Sequence, residues 1–189
     1  MILNLNFFFM RPLIYLSFAY ALSEFLLTLV KRSNGGSVKT RSDKGSLIFL
    51  WIMITAGFTA GFFLSNPVSS FWEGIGLPLI IGGLIIRWIA ILQLGNSFTV
   101  DVAITENASL KTDGIYERIR HPSYLGMFLV VTGFAATMSS FYSFLVLVVP
   151  VFAAIVYRIR VEEKLLINEF GNSYTSYMAS TKKIIPGIY

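Results

Sequence analysis

Residues 122–157, PSYLGMFLVVTGFAATMSSFYSFLVLVVPVFAAIVY, contain no aspartate, glutamate, lysine or arginine. A hydrocarbon layer about 30 Å thick asks for roughly 20 apolar residues per helix, and somewhat fewer where ends snorkel or the bilayer thins. The stretch therefore reads as two spans, 122–138 and 141–157, joined only by Ser139 and Ser140. So short a join makes them an antiparallel hairpin. Working outward, residues 12–30, 47–64 and 74–94 are likewise long and apolar, interrupted only by Glu24 in the first and Arg87 in the third. The sequence thus predicts an all-α integral membrane protein, one domain over residues 1–189, with five transmembrane helices.

Composition agrees. Of 189 residues, 55% are hydrophobic and 13% charged, too few charges to coat a soluble core of this size. The absence of cysteine excludes disulfides, thiolate metal sites and cysteine nucleophiles, and the single histidine, His121, excludes a multi-histidine metal site. No metal is expected. The net charge of +5 is better spent on a cytoplasmic membrane face than on nucleic acid. Thirteen lysines and arginines lie in residues 31–46, 95–120 and 158–189, all on one side of a five-span chain, against Arg11 on the other. The basic side resists translocation, so the N-terminus is expected outside and the C-terminus in the cytoplasm. Arg87, near the basic end of the third span, is expected to snorkel toward that face. Residues 1–10 are apolar but lack a basic region followed by a small-residue cleavage site, and no cleaved signal is expected.

Within the spans, Gly74, Gly76, Pro78, Gly82 and Gly83 suit close helix packing. Pro150 removes a backbone donor and is expected to kink the fifth span. Glu24 is an acid well inside the first, where it serves a function, bonds another helix or is protonated in place. Polar residues gather in the loop after span three and the tail after span five. Pro122 suits the first position of a helix and puts His121 at the N-cap. Together with Arg120 it is either a site for a carboxylate or phosphate or a headgroup anchor. Arg158 and Glu162 share a helix face four residues apart. Leu166, Phe170, Tyr174 and Tyr177 suggest a broken amphipathic helix lying on the cytoplasmic membrane surface, with the aromatics as anchors.

Leu110, Gly114, Tyr116, Arg120-His121-Pro122, Tyr124 and Gly126, then Arg158 with Glu162-Glu163, then Phe170-Gly171, Tyr174 and Tyr177, occur in order over roughly residues 94–177. This pattern resembles the isoprenylcysteine carboxyl methyltransferase family, which is grouped with the membrane phospholipid methyltransferases, and five spans resemble its short prokaryotic-type members. The resemblance implies S-adenosylmethionine as methyl donor, in a pocket from residues 95–126 and 158–178. It implies cofactor contacts from Ala103, Ala108, Ser109, Leu110, Lys111, Tyr116, Arg120, His121, Pro122, Ser123, Tyr124 and Glu162. Arg158 is implied to face the acceptor, a lipidic or prenylated molecule reached from the membrane, and to act in catalysis. The expected reaction is carboxyl O-methylation of an isoprenylcysteine-like acceptor. The alternatives are a phospholipid N-methyltransferase, which needs a base such as Glu163, a reductase using reduced nicotinamide, and a channel or adaptor whose basic face binds anionic lipid.

Overall fold

The computed structural model describes residues 15–27, 38–41, 45–67, 69–95, 103–105 and 109–185. Among the described residues six α-helices carry the fold: α1 (Tyr15–Leu27), α2 (Ser46–Phe63), α3 (Ser70–Leu94), α4 (Pro122–Thr137), α5 (Phe141–Phe170) and α6 (Asn172–Ser180). The all-α expectation holds for the body of the fold, to which the structure adds a short antiparallel pairing of β1 (Val38–Arg41) with β2 (Ala103–Thr105), inside what read as polar loops. Helices α2, α3 and α5 are long and apolar enough to cross a bilayer, while α1 and α4 are shorter apolar helices. The chain is a multi-pass membrane protein. Phe62, Phe63, Phe71, Trp72, Phe141 and Tyr142 are exposed where α2 ends, α3 begins and α5 begins. Aromatic rings gathered at one end of a helix bundle suit the headgroup level.

Helices α3 and α4 pack through a seam of glycines seven residues apart. A Cβ on Gly83 would lie 2.6 Å from the Gly126 carbonyl, and one on Gly76 2.6 Å from that of Gly133. The converse contacts, from Gly126 to Gly83 and from Gly133 to Gly76, are equally short. Only residues without side chains allow two backbones this close. Of the glycines expected to pack, Gly74 and Gly82 do not, since a Cβ there meets nothing within 4 Å. On the other flank α2 packs on α5. Leu147 lies against Gly57, the Ser143 hydroxyl donates to Gly61 O at 2.8 Å, and Leu50, Ile54, Val131, Leu147, Val151 and Ile155 fill the space between α2, α4 and α5.

Two further readings are corrected, those of Arg87 and of Tyr174 with Tyr177, and two helices outrun the spans expected within them. Arg87 does not snorkel: it is buried, its Nη2 donates to Glu24 Oε2 at 2.8 Å, and its Nε donates to Glu24 Oε1. Glu24 is thereby bonded to another helix, one of the roles open to it. The third helix starts at Ser70, four residues before the expected span. The fifth does not stop at Tyr157. It runs unbroken to Phe170, through Pro150 and on through a polar extension bearing Arg158, Glu162 and Glu163. Gly171, at φ +52°, ends it, and its N–H reaches Ile167 O at 2.9 Å. Tyr174 and Tyr177 of α6 are buried inside the protein, 1% and 8% exposed, so they are not membrane anchors.

Candidate functional site

The start of α4, the polar extension of α5, and α6 with the segment after it meet at one end of the bundle. Pro122 occupies the first turn of α4 and His121 its N-cap, as the sequence indicated. The carbonyl of His121 accepts from Tyr124 N and Leu125 N, both at 3.1 Å, which closes the first turn. The side chain of His121 is buried between two acids of α5. Its Nε2 lies 3.4 Å from Glu163 Oε1, and its Nδ1 4.0 Å from Glu162 Oε1.

Arg158 and Glu162, one helical turn apart, are joined through a third residue. The Tyr124 hydroxyl donates to Glu162 Oε2 at 2.8 Å and accepts from Arg158 Nε at 2.9 Å. Arg158 is 2% exposed, and its Nη1 donates to the Ser46 hydroxyl at 2.9 Å, tying the end of α5 to the start of α2. The Glu162 side chain is 31% exposed, whereas that of Glu163 is 7% exposed.

Glu163 is held from three sides. Arg120 Nε donates to its Oε1 at 3.0 Å, His121 faces the same oxygen, and Lys183 Nζ lies 3.2 Å from Oε2. Burial alone would raise this carboxyl, but hydrogen bonds from His121, Lys183 and Arg120 hold it down at about 2. The other contacts of Arg120 run to the chain after α6: Nη1 donates to Met178 O at 3.1 Å, to Thr181 O, and to Thr181 Oγ1 at 3.1 Å. The structure thus directs Arg120 into the protein, where it clamps Glu163 to the segment following α6.

The turn before α4 is pinned as well. Tyr116 is buried, its hydroxyl donates to Ala90 O at 3.1 Å, and its carbonyl accepts from the Tyr177 hydroxyl. Burial pushes the Tyr177 hydroxyl up to about 12, offset in part by Arg120, so it stays a donor. Gly114 takes φ +65°, and a Cβ there would lie 2.5 Å from Gln93 Oε1, which accepts from Ile115 N at 3.0 Å. Ser109 is exposed, Leu110 half-buried, and Lys111 pairs with Asp113 at 2.9 Å on the surface. Ser123 accepts from Arg87 Nη1 through both its hydroxyl, at 2.9 Å, and its carbonyl, at 3.2 Å. The backbone of Ala103 pairs with Arg41. Ala108 and the Asn96-Ser97-Phe98 part of the loop lie outside the described residues.

The structure therefore brings together His121, Pro122, Tyr124, Arg158 and Glu162, with Arg120 and Tyr116 behind them. Sequence reasoning missed Ser46, Thr181 and Lys183, which sit in stretches without periodicity or motif. It also gave Glu163 a role only as a possible base.

A bundle with a glycine seam, a belt of aromatics at one end and buried acids, cations and tyrosines at the other belongs to the class of intramembrane proteins with a polar site at the bilayer border. The model of the isoprenylcysteine carboxyl methyltransferase family matches residues 75–168. A protein-S-isoprenylcysteine O-methyltransferase of Schizosaccharomyces pombe is 36% identical over 128 residues, 67% of this chain and 53% of that protein. One from Dictyostelium discoideum is 33% identical over 143 residues, 68% of this chain and 54% of that protein. Among solved structures, that of the eukaryotic intramembrane Ras methyltransferase superimposes with a TM-score of 0.60 at 28% identity, covering 76% of this chain and 50% of the other. The chain belongs to the isoprenylcysteine carboxyl methyltransferase family. It spans about half the length of these relatives.

Proposed function

We propose that the chain is an S-adenosylmethionine-dependent methyltransferase that methylates the carboxylate of an isoprenylcysteine-like acceptor held in the membrane. The observation that carries the reading is the Glu162–Tyr124–Arg158 relay, which sets a partly exposed carboxylate and a buried guanidinium on either side of one hydroxyl at the end of the apolar helices. Family membership supports it. So does the form of the relatives' reaction, since two of the matched proteins are named protein-S-isoprenylcysteine O-methyltransferases.

The residues present fit the donor. Glu162 retains exposed surface and suits an ammonium, and Tyr124, whose hydroxyl it accepts from, brings an aromatic ring beside it. The buried Tyr174 hydroxyl has no hydrogen-bond partner among the described residues, and burial first, then the charges of Glu163 and Glu162, raises its pKa. A polar group bound beside those acids would satisfy it. Residues 103 and 108–111, with Tyr116 and residues 120–124, complete the proposed pocket. When bound, S-adenosylmethionine supplies a methyl group on a positively charged sulfur, and transfer to an acceptor oxygen breaks the carbon–sulfur bond as the carbon–oxygen bond forms.

The chain's own part is then binding and alignment. An acceptor carboxylate is ionised at neutral pH without help from a base. Arg158 holds that carboxylate by a charge-assisted contact while its stem stays among apolar groups, and Tyr124 fixes the distance between the Arg158 and Glu162 subsites. Exclusion of bulk water leaves the nucleophile less shielded. Phospholipid N-methylation asks for a base, and Glu163, held near 2 and shared among Arg120, His121 and Lys183, is a poor one. In the bilayer we read α1 and α4 as spans alongside α2, α3 and α5, with the site end and the C-terminal segment in the cytoplasm.

The test is methyl transfer by the purified chain in detergent, with a prenylated cysteine analogue and phosphatidylethanolamine offered separately. Transfer to the first alone is expected. Transfer to phosphatidylethanolamine alone would overturn the acceptor assignment, and transfer to neither with no donor binding would overturn the enzyme reading.

A further inference from the structure

After α6 the chain turns at Thr181 and runs back alongside the segment leading into α4. Lys182 N donates to Arg118 O at 3.2 Å, Arg120 N to Lys182 O at 2.8 Å, and His121 N to Lys183 O at 3.0 Å. This makes a short parallel bridge between Ile119 and Lys182. One residue on, Ile184 is fully buried in the same apolar cluster as Leu50, Ile54, Ile155 and Ile159. Between the bridge and that plug, Lys183 sends its ammonium to Glu163 Oε2, the oxygen that neither Arg120 Nε nor His121 Nε2 approaches in the contacts above.

We propose that residues 181–185 form a strap that sets the donor site, with Lys183 a positioning residue for His121 acting through Glu163. This rests on reading the His121 region as the methyl-donor pocket. The strap fixes His121 twice. Its backbone N–H is bonded to Lys183 O, and its ring is oriented by a carboxylate whose second oxygen the Lys183 side chain holds. A carboxylate gripped at one oxygen can rotate, and one gripped at both cannot. With Glu163 so fixed, His121 Nε2 carries its proton toward Glu163, and Nδ1 is left facing Glu162, the proposed ammonium subsite. Ile184 locks the strap in register, because a slip of one residue would withdraw a buried isoleucine from the core. Ordering these groups before the donor arrives lowers the cost of binding it.

His121 is the only histidine of the chain, so nitrogen NMR of labelled protein gives one set of ring signals and reads its tautomer without any ligand. Full-length protein in detergent, as wild type, Lys183→Met, Lys183→Gln and Lys183→Arg, is examined by ring spectra, by calorimetry with S-adenosylhomocysteine and by methyl-transfer kinetics. Wild type is expected to show a protonated Nε2. Lys183→Met should shift the ring signals, raise the donor Kd and KM about tenfold, and leave acceptor KM and kcat at saturating donor within about twofold. Lys183→Gln should do the same at smaller amplitude, which keeps the test open if the Met variant folds poorly. Lys183→Arg should restore both readouts to within about twofold, which a general loss of packing would not allow. Ring signals and donor affinity that stay at wild-type values in both neutral variants would overturn the strap. If wild type binds no donor, the pocket reading fails instead, and the ring spectra still decide whether Lys183 orients His121.

Discussion

At Glu162 and Arg158 the two halves of the proposed reaction can be tested separately, because one hydroxyl lies between the side chains and each is assigned a different ligand. Glu162→Gln keeps the shape of the side chain and its contact with Tyr124 but removes the charge. Donor affinity is expected to fall by about 1–3 kcal/mol, the scale of a hydrogen bond to a charged group. Calorimetry with S-adenosylhomocysteine checks this, and unchanged affinity would take Glu162 out of the donor subsite. Arg158→Lys keeps the charge and loses the planar fork that reaches both Tyr124 and Ser46. Acceptor turnover at saturating donor should drop roughly tenfold, about 1.4 kcal/mol of transition-state stabilisation, with donor binding nearly unchanged. A variant with weak donor binding and normal turnover would show that Arg158 belongs to the donor.

Between helices, the α3–α4 seam separates glycines that look alike in sequence. Gly83→Ala puts a methyl group 2.6 Å from Gly126 O and 2.8 Å from Val130 N, so a backbone must move. A loss of about 1–3 kcal/mol is expected, as for other overpacked sites. Gly82→Ala, one residue away, meets nothing within 4 Å and should be neutral or slightly stabilising. Thermal unfolding in detergent compares the two, and equal losses would deny the seam its role. Hydropathy could not tell Gly82 from Gly83, because facing is decided by the partner helix. It did find the apolar stretches, since a long uncharged run has few other readings. The sequence put Arg158, Glu162, Leu166 and Phe170 on helix, but that this helix is one with the fifth span was hidden, because a change from apolar to amphipathic pattern looks like an end. The His121-Pro122 cap, by contrast, was plain from proline chemistry. The backbone bridge from Lys182 to residues 118–120 has no periodicity, and only tertiary structure reveals it.

For the whole molecule, orientation is the first expectation to check. With single cysteines introduced into this cysteine-free chain, Ser109→Cys and Ser180→Cys, both exposed, should be labelled from the cytoplasmic side, and Ser65→Cys, exposed at the other end of α2, should not. Labelling of Ser65 from the cytoplasm would sink the five-span arrangement. Acid gives a second handle. The Glu163 carboxyl is held at about 2 against an ordinary 4.5, so its contribution to stability is complete above pH 4.5 and is lost as pH falls toward 2. The gap in unfolding temperature between wild type and Glu163→Gln should therefore be widest above pH 4.5 and close below it. A gap that widened on acidification would reverse the sign of that linkage. Finally, Glu24 and Arg87 meet as a buried pair although 63 residues separate them along the chain. At a synthesis rate of 5–20 residues per second, Glu24 waits roughly 3–13 s for its partner to be made. Until then an unpaired carboxylate in lipid is costly, so an α1 that is to span the bilayer is expected to stay near the membrane surface until α3 emerges. On the reading that α1 spans the bilayer, a helix made well before α3 settles only with it, timed by the arginine that receives its acid.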